Sequence, residues 1–259
     1  AVLKEGLYEA SDYRDDLLAL ARFRSTGQDG LTSLADYVAR MAEGQQEIYY
    51  IAGDDAKLLA GSPQLEGFAK RGLDVLLLSD PVDEFWIPAA GAHQGKPFKS
   101  VTRGNIDLSK VPLLDGSKPV DAPAAEGEVS ALAALFRLSL QDAVKDVRAS
   151  SRLTDSAVCL VADDSDLDIH LERLLRLHKQ VDHVAKRILE INPAHPLIKA
   201  LAAEVPKPGS ADRLGDIAHL LLDQARLLEG EALPDTAAFA RRMTTALTRA
   251  DRKSTRLNS

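Results

Sequence analysis

Apolar residues recur along the chain in two patterned blocks, residues 11–103 and 128–250, with an aperiodic stretch between them. In the first block, Ser11–Arg24 is a helical pattern on Leu17, Leu18, Ala21 and Phe23, followed by a loop at Gly27–Gly30. Ser33 then caps a second helix, with Asp36 three residues on as capping-box partner. Its apolar positions Leu34, Tyr37, Val38 and Met41 follow helical spacing until Gly44 stops it. Ile48-Tyr49-Tyr50-Ile51 is β-branched and aromatic and predicts a buried strand. Ser62-Pro63 opens a further helix that Gly72 ends, and Val75-Leu76-Leu77-Leu78 predicts a second strand. Strand, helix and strand in that order favour a parallel pair with a right-handed crossover, and Lys96–Val101 adds an edge strand.

Asn105–Gly127 holds Pro112, Pro119, Pro123 and Gly116 without sustained periodicity, and reads as a linker. Beyond it Val129, Leu132, Leu135, Phe136 and Leu140 form a helix stripe. Val144–Leu153 and Ala157–Val161 read as two strands joined by the turn Thr154-Asp155-Ser156. Asp163–Gln180 is an amphipathic helix, and Asn192-Pro193 starts another through Leu197 and Leu201. Pro206–Gly209 is a loop before two last helices, Leu214–Glu229 and Asp235–Arg249. The fold class is therefore α/β in the first block and α+β overall.

The last two helices carry the strongest physical signal. Leu214, Ile217, Leu221 and Leu228 recur at spacings of 3, 4 and 7, a heptad-like seam. Leu220, Leu222 and Leu227 flank it, so the helix is apolar around more than half its girth and needs cover on two sides. Phe239, Met243 and Leu247 form a matching stripe on the final helix. A four-helix arrangement with a second copy would supply that cover, favoured by ~25 cal/mol per Å² of apolar area. Packing on the helices' own domain is the alternative, and periodicity leaves both open. Leu167, Leu171, Leu174 and Leu175 make another stripe, read either as core or as an exposed sticky face. Its acidic start, Asp163, Asp164, Asp166 and Asp168, favourably opposes the helix dipole. A calcium loop counted from Asp164 fails because its sixth position is Ile169 rather than Gly. Asp83-Glu84-Phe85-Trp86-Ile87, directly after the second strand, is either core closing a strand-to-helix turn or part of a binding surface.

Composition narrows the functions available. With 259 residues the chain is long enough for two domains, and 45% apolar with 27% charged residues is ordinary for a globular protein. A net charge of −7 argues against nucleic acid as a partner, since phosphate binding wants a basic face. A single cysteine, Cys159, rules out an internal disulfide and a thiolate metal cluster, fits a reducing, cytoplasmic compartment, and sits in an apolar run as a packed residue. The six histidines lack zinc-site spacing, so no metal is expected. No apolar run approaches the roughly 18–20 residues of a membrane span, so no membrane is expected. Gly91-Ala92-His93-Gln94-Gly95-Lys96 is one residue short of a phosphate loop and places Pro97 where Ser or Thr would meet magnesium. No G-x-S-x-G elbow occurs. The first residues lack a signal-peptide pattern and an initiator Met, so the chain is expected to begin inside a longer protein.

The words of the sequence add what its periods do not. Val2-Leu3-Lys4-Glu5-Gly6, Leu20-Ala21-Arg22-Phe23-Arg24-Ser25-Thr26, Ser33–Met41, Glu47–Ile51, Ser62–Glu66 and Val75–Phe85 resemble the heat-shock protein 90 family, in its bacterial, HtpG-type branch. Val144-Lys145-Asp146-Val147-Arg148, Arg152–Asp155, Glu190–Pro193 and Leu221–Ala225 agree, so the resemblance covers roughly residues 2–250. It implies an α/β/α subdomain from the late middle domain over residues 1–110, a linker at 111–127, and an α+β dimerisation domain at 128–250 ending in a helical pair. The polar, basic tail 251–259 does not resemble the family and is expected to be disordered. The family's ATPase domain and the arginine that reaches the γ-phosphate lie upstream of such a piece. The resemblance therefore implies no catalytic residue, no bound ATP or magnesium, and no enzyme activity in this chain. It implies client contacts at Glu84, Phe85 and Trp86 and at Leu167, Leu171, Leu174 and Leu175. It also implies a homodimer through Leu214, Ile217, Leu221, Leu228, Phe239, Met243 and Leu247. Partly folded clients and the seventy-kilodalton heat-shock chaperone system are the partners it implies; without a Met-Glu-Glu-Val-Asp terminus, tetratricopeptide co-chaperones are not. The competing reading is a stand-alone α/β enzyme or small-molecule binder using Gly53-Asp54-Asp55 and Ser79-Asp80 beyond the strand ends.

Overall fold

The computed structural model describes residues 2–9, 11–104, 106, 108, 111–114, 123–180 and 185–257. Its elements run α1 (Val2–Glu9), α2 (Arg14–Leu20), β1 (Arg24–Ser25), α3 (Leu34–Ala39), β2 (Ile48–Ala52), α4 (Ala56–Ala60), α5 (Glu66–Ala69), β3 (Leu76–Leu78), α6 (Asp83–Ala90), β4 (Ala92–His93) and β5 (Lys96–Ser100). They continue with α7 (Pro123–Leu140), β6 (Asp146–Ala149), β7 (Val158–Val161), α8 (Ile169–Leu177), β8 (Ile188–Ile191), α9 (Pro196–Ala202), α10 (Ala211–Leu228) and α11 (Thr236–Leu257). Two compact units result: Ala1–Asp121 with Val161–Ala185, and Ala122–Leu160 with Lys186–Ser259. Of the predicted linker at 111–127, residues 115–122 lie outside the described residues, and 123–127 are already the first residues of α7.

In the first unit the strand order is β1-β3-β2-β5-β4. β2 pairs in parallel with β3 and with β5, while β1 and β4 close the two edges antiparallel. All five β2 residues are buried, as the unbroken apolar run predicts for a strand covered on both faces. Alternate residues of β2 enter different cores. Ile48, Tyr50 and Ala52 pack with Leu7, Leu18, Phe23, Leu34, Tyr37 and Trp86. Tyr49 and Ile51 pack with Leu65, Phe68, Val75 and Leu77 on the other side. The period-two alternation of a strand is thus what builds helix, sheet and helix layers here. The Ser33 cap forms as expected: its hydroxyl accepts the Asp36 amide at 3.0 Å and donates to the Asp36 carboxylate at 2.6 Å. The glycine-rich Gly91–Lys96 stretch is a hairpin tip between β4 and β5. Its central residues Gln94 (φ 50°) and Gly95 (φ 73°) both take positive φ, as a two-residue hairpin turn requires.

The second unit has the strand order β6-β8-β7. β6 and β7 are therefore not the hairpin that the Thr154-Asp155-Ser156 turn suggests. β8 lies between them and pairs in parallel with β6, Asp146 opposite Ile188 through Ala149 opposite Ile191. All four β8 residues are buried, which suits the central position. Glu190 masks this strand in the sequence, and its charge is met inside the fold. Arg148 Nη2 lies 2.8 Å and Arg152 Nε 3.1 Å from its carboxylate, and Ser150 Oγ donates at 2.9 Å. Cys159 is buried in the same neighbourhood. Leu132, Phe136, Leu189, Ile191, Ile198, Leu214 and Leu221 share one core beneath α7, α9 and α10. α11 continues to Leu257, through the segment where the sequence predicts no element. Residues 236–257 contain neither Gly nor Pro to interrupt the helix.

Candidate functional site

The acid–aromatic segment is the first half of α6. Asp80 and Asp83 start the helix reciprocally: the Asp83 amide donates to the Asp80 carbonyl at 2.9 Å, and the Asp80 amide to the Asp83 carboxylate at 3.2 Å. Lys4 of α1 bridges both carboxylates, 2.7 Å from Asp80 and 2.9 Å from Asp83. Trp86 Nε1–H also donates to Asp83, at 2.6 Å, so the fully buried acid has its charge and lone pairs met. The Trp86 ring is itself fully buried, with centroids 5.6 Å from Phe23 and 5.4 Å from Phe98. One residue earlier the direction reverses. Phe85 is 41% exposed, and its ring meets Tyr8 of α1 edge to face at 6.1 Å.

Glu84 points inward and belongs to a polar cluster with α8. His170 Nδ1 lies 2.9 Å from Glu84, and its Nε2 lies 3.1 Å from Asp54. Arg173 also donates to Asp54. Asp168 caps α8 by accepting the His170 amide at 3.2 Å, and its other oxygen accepts from Ser100 at 2.5 Å and Thr102 at 2.6 Å. Burial pushes Glu84 above the usual carboxylate range, against the pull of His170. Burial alone would lower His170, but hydrogen bonds to Glu84 and Asp54 outweigh it and raise the imidazole. The hydrogen bond from His170, with Arg173 adding to it, holds Asp54 below its usual value.

Along α8, Leu174 is buried, Leu171 and Leu175 are half-buried, and Leu167, just before the helix, is 39% exposed. Leu177 is exposed too, and the sequence stripe does not include it. In the second unit, Leu214 and Leu221 are core residues, and Ile217 is half-buried against the same core. Leu228, Met243 and Leu247 face outward at 56%, 39% and 64%, with Phe239 half-buried. The polar groups of the competing small-molecule reading have structural duties. Asp55 caps α4 through the Lys57 and Leu58 amides, Asp54 meets His170, and Asp80 meets Lys4. Among the described residues, no group of His, Cys, Asp and Glu is arranged to hold a metal ion, and no helix is long and apolar enough to cross a membrane. Tyr8 escaped the sequence reading, because its pairing with Phe85 joins residues far apart in the chain.

The mixed sheets and helices of both units agree with the α/β and α+β fold class that the sequence words suggest. The profile of the Hsp90 protein family matches residues 1–256, and the chain belongs to that family. Among its relatives, the chaperone protein HtpG of Paramagnetospirillum magneticum is 53% identical over 247 residues, which is 95% of this chain and 40% of that protein. The HtpG chaperones of Rhodospirillum rubrum (94% of this chain, 39% of that protein) and Mesorhizobium japonicum (96% and 39%) are 50% and 51% identical. The chain thus spans about 40% of the length of the curated relatives it matches.

Proposed function

We propose that the chain is the client-holding and self-associating portion of an Hsp90-type chaperone. The observation that carries this is the identity of about half over nearly the whole chain to proteins named chaperone HtpG. Two surfaces support it. In the first unit, Phe85 and Leu167 offer apolar area to solvent. Since Trp86 is fully buried, the client-facing ring of the acid–aromatic segment is Phe85. In the second unit, Leu228, Met243 and Leu247 are outward positions that a second copy would cover. Single weak contacts on two protomers give avidity without tight binding at any one of them, which suits transient holding of many different chains. This reading assigns ATP hydrolysis and its magnesium to a portion of the parent protein outside this chain, and no ATP turnover by the chain is expected. Cooperation with the seventy-kilodalton heat-shock system in the bacterial cytoplasm completes the reading.

The test is suppression of aggregation of a thermally unfolding client by the chain and by its Phe85→Ala and Leu167→Ser variants. Weaker suppression by both variants is expected; equal suppression by all three proteins would refute the site. Sedimentation at tens of micromolar is expected to show a dimer that Leu228→Ser with Leu247→Ser dissociates.

A further inference from the structure

The exposed aromatic of α6 does not stand alone. Tyr8 is 56% exposed and Phe85 41%, and their rings meet at 6.1 Å with planes 61° apart. Two exposed aromatics in edge-to-face contact form one apolar surface across two helices, and large exposed apolar surfaces mark interaction sites. Its support is rigid. Lys4, one turn before Tyr8, is fastened to Asp80 and Asp83 at the start of α6. Arg14 Nε donates at 3.0 Å to the Leu7 carbonyl at the end of α1. The exposed charge of the segment that carries Tyr8 has one sign. Glu5 and Glu9 flank Tyr8 on α1, Asp12, Asp15 and Asp16 follow, and all five are exposed. The two cations of the same stretch, Lys4 and Arg14, are the groups just described as anchors.

We infer that Tyr8 and Phe85 together form a docking surface for a partly unfolded segment that bears a large apolar side chain flanked by Lys or Arg. The inference rests on the reading of Phe85 as client-facing and adds to it a second contact residue and the charge of the segment bound. The apolar side chain lies against the paired rings, while its basic neighbours meet the field of the five carboxylates. Because the anchors hold the pair in place before binding, little ordering is needed to receive the segment.

The experiment is fluorescence anisotropy on the full chain, with a labelled unstructured peptide carrying Phe and Leu flanked by lysines and the same peptide with glutamates in place of the lysines. Tyr8→Ala and Phe85→Ala are each expected to weaken binding of the lysine peptide by roughly threefold to tenfold. The double variant should lose less than the product of the two, and Tyr8→Phe should bind as the parent does. The glutamate peptide should bind more weakly, and added salt should narrow the gap between the peptides. Circular dichroism melts check that both exposed positions leave the fold intact. Loss with Phe85→Ala but none with Tyr8→Ala overturns the inference and leaves the function proposed above standing. Loss with neither overturns both. Equal binding of the two peptides overturns the charge assignment. A sedimentation shift caused by Tyr8→Ala identifies the face as a contact between copies and also overturns the inference.

Discussion

The α6 region of the first unit and the α10 helix of the second both alternate between core and surface within a few residues, but different forces enforce the alternation. In α10 the division is apolar: Leu214 and Leu221 enter the core, and Leu228, one heptad further, is left outside. In α6 it is polar. Asp83 and Glu84 are buried because Lys4, Trp86 and His170 meet their charges, and that leaves Phe85 as the ring turned to solvent. A stripe of leucines can be divided by reading a helical wheel. A cluster of buried carboxylates is divided by partners that the local sequence does not contain.

The largest effect should separate the two adjacent rings. Trp86→Ala empties a fully buried site and should cost about 3–5 kcal/mol in urea denaturation, whereas Phe85→Ala should cost under about 1 kcal/mol. Comparable losses would mean that the core boundary does not run between them. The matching pair in α10 comes next. Leu221→Ala should cost about 3 kcal/mol and Leu228→Ala almost nothing at a concentration where the chain is monomeric. In the polar region, Asp168→Ala removes a helix cap and the carboxylate to which Ser100 and Thr102 both donate, leaving those hydroxyls only each other, at about 2 kcal/mol. Faster amide hydrogen exchange across α8 would accompany it, and unchanged exchange there would count against the cap.

The smallest effect is in pH. His170 holds its proton more tightly in the fold than in the open chain, so its contribution is complete below about pH 6.5 and is lost as pH rises through the folded value. Glu84, raised by burial, acts in the same direction at lower pH. Asp54, held low, contributes above about pH 3.9 and loses that contribution only in stronger acid. The stability gap between the parent and His170→Gln should therefore be wider near about pH 6 than near about pH 8.5. Thermal melts at the two values measure it, and a gap that widens with pH would reverse the assignment.

Legibility followed the same division. The β2 and β3 runs, the Ser33 cap, the Pro63 start and the heptad of α10 were readable because each is local and rests on one physical preference. β8 was not, because Glu190 breaks the apolar run and only Arg148, Arg152 and Ser150, about forty residues away, make that acid acceptable in a buried strand. The turn after β6 therefore looked like a hairpin. Phe85 and Trp86 looked equivalent because the local pattern does not say which ring is covered; the distant Phe23 and Phe98 rings, with the Asp83 acceptor, decide it. The family words singled out the candidate segments that form α6 and α8, while the side each residue faces came from contacts across the fold.

The outer strands β1 and β4 are two residues each, and they close both sides of a sheet whose central strands β2 and β3 are buried throughout. An unfolded polypeptide meeting this unit finds almost no row of open amides and carbonyls to zip onto. Strand addition, one recurring way for a loose chain to be captured and a route toward fibrils, has little to start from.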